Sequence, residues 1–314
     1  MMRKIIEKIV VYTIFIIFLL SFFNKASLLF IRKGKGYGTD VLDFYKQERN
    51  TIDVLVLGSS HAYSAVNPYL IEEKTGLVTY DFCTQQQPIW ITYHYLIEAL
   101  KSQTPKYIIL DINMVLVGDS NYAEEAVNRD AIDKMKMSKN KIEAINTSVE
   151  KLKDRESYYF NIIKYHPRYK ELDDNDYQVA FQGKTVNNKG FTKLPKTGHV
   201  FPGVNSNYSE TNEIYNKNLE YFNKIVQLAK KNNIPLILIK TPAAYDEQML
   251  GKLNNFSKLA DDYDITFLNY IDKIDILGLD YDNDFYDNGH LNELGSTKFT
   301  NRLIMDMGWQ LKDK

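Results

Sequence analysis

Short β-branched runs alternate with helix-period stretches along most of the chain. Residues 53–57 (DVLVL) end at Gly58 and residues 78–82 form a second apolar run; their length and β-branching predict strands. Between them, helix-compatible sequence begins near Pro68, whose fixed φ suits a first helical turn. The polar QQQP precedes a helical stretch with an apolar face over 89–100, and Pro105 introduces KYIILDI, the third strand. Residues 214–231 are helical in period, Asn232 and Asn233 stop them, and IPLILIK and ITFLNY supply the fourth and fifth strands. Strands separated by helices imply βαβ units with right-handed crossovers. The predicted architecture is therefore a parallel sheet in a three-layer α/β sandwich, with ligands at the carboxyl ends of the strands.

Two segments break this rhythm. From residue 9 to 23 the chain carries no charge, and after Asn24 and Lys25 it resumes as ASLLFI before Arg32, Lys33 and Lys35. About 20 apolar residues cross a bilayer as a helix, so a span must run to about Ile31 with Lys25 snorkelling or paired. An uncleaved anchor, residues 1–35 with its juxtamembrane segment, fits this better than a cleaved signal peptide, because Lys25-Ala26-Ser27 is a poor small-x-small site. Basic residues flank both ends, so charge gives no orientation. The second break is residues 116–209, rich in Lys, Asn, Asp and Tyr. A structureless loop of that length is unusual, and the segment reads as a helical insertion in the domain formed by residues 36–314, leaving the third strand near the ligand edge and covering it as a lid or acceptor platform.

Composition narrows the function. Apolar residues are 44% and charged residues 25% of the 314 positions, as in globular proteins and unlike disordered or multi-span chains. The 39 Lys and Arg against 40 Asp and Glu make no electrostatic case for nucleic acid. One cysteine, Cys83, excludes an internal disulfide and a Cys-rich zinc site. No metal-ligating cluster or Gly-rich phosphate loop is present, and no cofactor is expected.

Two motifs carry chemistry. Gly58-Ser59-Ser60-His61 follows the first strand, placing a serine at the mouth of the sheet near a helix start, where backbone N–H groups hold an oxyanion. Alone, it is also an ordinary turn. Asp287-Asn288-Gly289-His290-Leu291-Asn292 precedes the final helical segment. A carboxylate three residues before a histidine can orient the imidazole as a general base; alone, it is also an Asp-Asn-Gly turn beside a helix cap.

Together these blocks resemble the SGNH hydrolase superfamily, also called the GDSL lipase and esterase family, over residues 51–114 and 214–305. The resemblance implies a flavodoxin-like sheet, with Ser60 as nucleophile, His290 as general base and Asp287 as its orienting acid. It also implies an oxyanion donor after the second strand, where Cys83 stands in Tyr80-Asp81-Phe82-Cys83-Thr84 in place of the usual glycine, and one after the third, where Leu110-Asp111-Ile112-Asn113 replaces Gly-x-Asn-Asp and offers Asn113. Gly-Ser-Ser with an N-terminal anchor is similar to the membrane-anchored, cell-envelope branch. That branch implies an extracytoplasmic domain, a serine acyltransferase or esterase acting on an envelope glycan with an acyl donor, and a membrane-bound O-acyltransferase as partner. The altered oxyanion blocks keep open a noncatalytic module that binds glycan or such a partner.

Other residues carry smaller expectations. His166 and Arg168, in Tyr165-His166-Pro167-Arg168-Tyr169, suit a sugar or anionic donor as well as a packed corner. His61 is expected to support the site rather than touch substrate. His94 reads as a core histidine, His199 as a loop residue, and Thr241 as a substrate contact at the end of the fourth strand.

Overall fold

The computed structural model describes residues 2–31, 37–118, 120–196, 208–244, 246–271 and 273–312; His199, Arg32, Lys33 and Lys35 lie outside them. Five strands, β1 (Val54–Gly58), β2 (Thr79–Cys83), β3 (Tyr107–Asp111), β4 (Leu236–Lys240) and β5 (Phe267–Asn269), pair in parallel in the order β2-β1-β3-β4-β5. This is the flavodoxin-like order, and its reversal falls between β1 and β3, where ligands bind in open α/β sheets. The register sets Gly58 beside Cys83 and Leu57 beside Leu110.

Alternation along the strands feeds two cores. Leu55, Leu57, Phe82, Leu110 and Leu238 face the helices Ile89–Leu100, Asn216–Lys231 and Glu247–Asp262. Val54, Val56, Cys83, Ile109 and Ile239 face Ser60–Ala65, Pro68–Thr75 and the C-terminal helix Glu293–Asp306. With both faces covered, β1 is buried throughout and reads as an unbroken apolar run. One expectation changes here: no loop separates β1 from the first helix, which begins at Ser60 itself, eight residues before Pro68.

The insertion is helical, with helices at Glu125–Ile132, Lys139–Ser148, Leu152–Tyr159 and Asn161–Tyr165 and a 3-10 turn at His166–Lys170. Its helix Lys139–Ser148 lies on Ile89–Leu100, joined by Trp90 Nε1 donating to Ser148 Oγ at 3.1 Å. Later, residues 188–194 cross the outer edge of the sheet. There Asp81 N–H donates to Lys189 O, and a Cβ at Gly190, φ +78°, would fall 1.7 Å from Asp81 O, so only glycine passes. That crossing occupies an edge strand that would otherwise be open to pairing.

The N-terminal helix Met2–Phe30 is long and apolar enough to cross a membrane. Its final turns do not reach free into solvent or lipid. Phe23 meets Phe160 edge-to-face at 6.2 Å, Lys25 Nζ donates to Ala180 O at 2.9 Å, and Ile31 is buried. Of the two fates expected for Lys25, snorkelling or pairing, it takes the second, bonded by a protein carbonyl. Arg168 closes this end: its Nη1 donates to Phe30 O at 2.7 Å and to Ile31 O, while Nη2 sits 3.3 Å from both Asp176 carboxylate oxygens. A cation on the last carbonyls of a helix satisfies orphan acceptors and opposes the macrodipole. Arg168→Ala is expected to cost the detergent-solubilised full chain roughly 2–4 kcal/mol, since it strands these carbonyls and a buried Asp176. Denaturant unfolding measures the loss, and hydrogen exchange should rise over residues 23–31.

Candidate active site

The site begins with the turn that leaves β1. Gly58 adopts φ +148°, and a Cβ there would lie 3.0 Å from both Ala62 Cβ and Asp111 Cβ. Only glycine lets the chain swing from strand into helix this close to β3. Ser60 is then the first residue of the helix Ser60–Ala65, so its backbone N–H has no intrahelical acceptor. Gly58→Ala should destabilise the fold by about 1–3 kcal/mol through backbone strain and these two contacts; urea unfolding checks it.

The second motif forms a fixed loop. Asp287 Oδ1 accepts from Gly289 N–H at 2.8 Å and from His290 N–H at 2.9 Å, which closes the Asp-Asn-Gly turn. The same oxygen lies 2.8 Å from His290 Nδ1. Asn292 then caps the C-terminal helix by accepting from Leu294 and Gly295 N–H, and its amide nitrogen donates back to Asn283 O at 2.7 Å and Phe285 O at 3.3 Å. The turn, the cap and the carboxylate–imidazole contact are one structure. The bland and the chemical readings of this motif therefore coexist.

Packing joins the two motifs. Ser296 Oγ and Thr300 Oγ1 from the C-terminal helix donate to Ala65 O at 3.0 and 3.1 Å, at the end of the serine's helix. Across that contact His290 Nε2 lies 2.8 Å from Ser60 Oγ. With Nδ1 protonated toward Asp287, Nε2 is the acceptor for the serine proton. Ser60 is recessed at 8% exposure. Burial pushes the Asp287 carboxyl up, but the His290 side chain and the Gly289 and His290 N–H groups outweigh it and hold Asp287 below the ordinary carboxylate range.

Beneath this line lies a support of which the sequence announced His61 but not the buried pair Lys240 and Asp111. The His61 and His290 rings are 4.8 Å apart and tilted by 33°, and His61 also packs against Gly289. Burial first, then the charges of Lys240 and His290, push the His61 imidazole well below its usual range. Lys240 ends β4 fully buried, with Nζ donating to Thr241 O at 3.0 Å; burial lowers it to about 8 although Asp111 pulls it up. Asp111 accepts from Asn113 N–H, and from the N–H and hydroxyl of Thr241 at the long distance of 3.4 Å. A lysine closing an apolar strand was the available signal for this pair.

Other expected site residues lie elsewhere or are committed. The Cys83 N–H donates to Thr39 Oγ1 at 3.0 Å, so it is not free for an oxyanion, and its thiol is buried toward Val56 O. The Thr241 hydroxyl lies 3.4 Å from Asp111 Oδ2. Arg168 serves the N-terminal helix, and His166 is exposed with Nδ1 3.1 Å from Ile163 O. Asn113 heads the short helix Asn113–Leu116 just beyond β3, on the same edge as Ser60. His94 is buried with Nδ1 2.7 Å from Asn140 Oδ1. The insertion's helices pack on Ile89–Leu100 and the N-terminal helix; toward the site, its trailing segment bonds through Thr192 N–H to Tyr63 O and Glu293 N–H to Leu194 O. Among the described residues no group of three His, Cys, Asp or Glu is placed to hold a metal.

No protein-family model and no curated protein matches the chain. Among solved structures it is similar to a gut microbial diltiazem-metabolizing enzyme, at 10% identity and a TM-score of 0.31, over 87% of this chain. The match takes in 49% of that enzyme, so the chain spans about half the length of this neighbour.

Proposed function

We propose that the chain is a membrane-anchored serine acyltransferase or esterase of the SGNH type, which transfers an acyl group from a donor ester to an extracytoplasmic envelope polysaccharide or removes one from it. The observation that carries this reading is the line Asp287 Oδ1, His290, Ser60 Oγ, linked by two 2.8 Å contacts at the carboxyl edge of the sheet. In this mechanism Ser60 Oγ attacks the ester carbonyl as His290 Nε2 takes its proton. Asp287 steadies the imidazolium, the Ser60 N–H faces the developing oxyanion, and His290 returns the proton to the departing alkoxide. A glycan hydroxyl, or water, then gives its proton to His290 and attacks acyl-Ser60, which regenerates the free serine. No cofactor is required.

Residues 1–35 act in this reading as anchor and 36–314, with the insertion 116–209, as the outward-facing domain, beside a membrane-bound O-acyltransferase. Tethering near the envelope favours transfer over hydrolysis. A second reading, a noncatalytic glycan- or partner-binding module, draws support from the committed Cys83 N–H. A serine-directed fluorophosphonate separates the two: the proposed enzyme gains one adduct, at Ser60, by mass spectrometry, and an unmodified chain defeats the proposal. A labelled acyl donor with and without glycan fragments then sorts the reaction, acceptor-dependent glycan labelling marking a transferase and equal free acid in both tubes an esterase.

A further inference from the structure

Between the docked end of the N-terminal helix and the insertion lies an open groove of about 460 Å³. Leu20, Phe23, Met137 and Phe160 give it an apolar lining, and Lys134 and Lys136 a cationic one, while a third lysine, Lys141, is buried with Nζ donating to Asp133 O and Met135 O at 3.0 Å. Lys134 reaches Asp40 Oδ1 at 3.3 Å. Lys136 is exposed, 4.3 Å over the Tyr45 ring, with no ion pair among the described residues. The one acid lining the groove, Asp133, is already bound by Arg129 and by the Tyr165 hydroxyl at 2.7 Å.

The height of this groove along the helix is fixed by arithmetic. A hydrocarbon layer of about 30 Å takes roughly 20 residues at about 1.5 Å each. Counted from Ile9, after the last of the leading cations at Lys8, twenty positions end at Leu28, which itself lines the groove. Phe160 meets Phe23 five positions, about 7.5 Å, inside that level, and Phe181, beside the Ala180 carbonyl that takes Lys25, stands 57% exposed. Aromatic side chains gather at this boundary between hydrocarbon and headgroups. Leu20 belongs both to the groove and to the lipid-exposed face of the helix, so the apolar lining continues into the bilayer.

We infer that this groove is a binding site for an anionic phospholipid of the bilayer, its acyl carbons along Leu20 and Phe23 and its phosphate at Lys136 beside Lys134. The inference rests on the reading of Met2–Phe30 as a membrane-spanning helix. The occupant is a lipid rather than a soluble anion because half of the site is hydrocarbon in character and opens at membrane level. A lipid held there would brace the domain against the membrane at the place where Arg168 and Lys25 already clamp the helix.

The test uses the full chain in detergent micelles with equal dioleoyl phosphatidylglycerol and dioleoyl phosphatidylcholine, read by native mass spectrometry. The wild type should retain the glycerol lipid at least about tenfold over the choline lipid, since each lysine contributes roughly fivefold. Lys136→Gln should lower that preference about fivefold with unchanged melting, and Lys139→Gln, on the insertion surface outside the groove, should not. Equal retention of both lipids, an equal loss in the two variants, or displacement by soluble glycerol phosphate would overturn the site. Carbonate extraction from liposomes is done first: a chain that washes off removes the spanning reading itself, whereas one that stays embedded without lipid preference removes only the groove.

Discussion

In Ser60→Ala, fluorophosphonate labelling disappears and acyl release or transfer falls by at least about a thousandfold, the remainder coming from binding and backbone donors. Stability changes little, within about 1 kcal/mol, because among the described residues the hydroxyl bonds to His290 alone. The paired measurement matters: a rate assay and a urea titration on the same preparation separate lost chemistry from lost fold. A variant that kept half of the wild-type rate would end the acyl-Ser60 mechanism.

Asp287 allows charge and turn to be separated. All three of its described donors, Gly289 N–H, His290 N–H and His290 Nδ1, meet the single oxygen Oδ1. Asp287→Asn keeps a carbonyl oxygen for the turn and removes the charge that steadies the imidazolium, so the rate should fall about 10²- to 10⁴-fold with the fold intact. Asp287→Ala removes the turn as well and should cost a further 1–2 kcal/mol, roughly, in urea unfolding. The pH dependence follows from the sign of the shift. The folded carboxyl titrates below its ordinary 3.8, so the stability linked to it is complete above that value and is lost only as pH falls through the lower folded one. Between about pH 4 and 5, unfolding curves of wild type and Asp287→Asn should therefore run parallel.

Much of the fold was readable because burial on both faces of a parallel sheet leaves unmistakable runs. VLVLG and LILIK need no partner in the sequence to declare themselves, and the stretch 89–100 carried its helix period and a proline at its start. The helix at Ser60 was not readable. Ser-Ser-His carries turn propensity, and Val66-Asn67-Pro68 interrupts the period, so docking of the C-terminal helix onto Ala65, not local preference, sustains it. The side chains of Ser60, Asp287 and His290 could be singled out because order and spacing are local properties of each motif. Cys83 and Arg168 went astray for the opposite reason. Whether an N–H is free depends on Thr39, 44 positions upstream, and whether an arginine is spoken for depends on carbonyls 137 and 138 positions away.

Ser60 and His290 stand 230 positions apart, and the contacts that join them belong to the C-terminal helix. A ribosome delivers the serine long before its base. On the proposed chemistry, a nascent or truncated polypeptide is latent: its serine meets no imidazole until the final helix closes against the first. Synthesis and docking of Glu293–Asp306 are thus the switch that arms it.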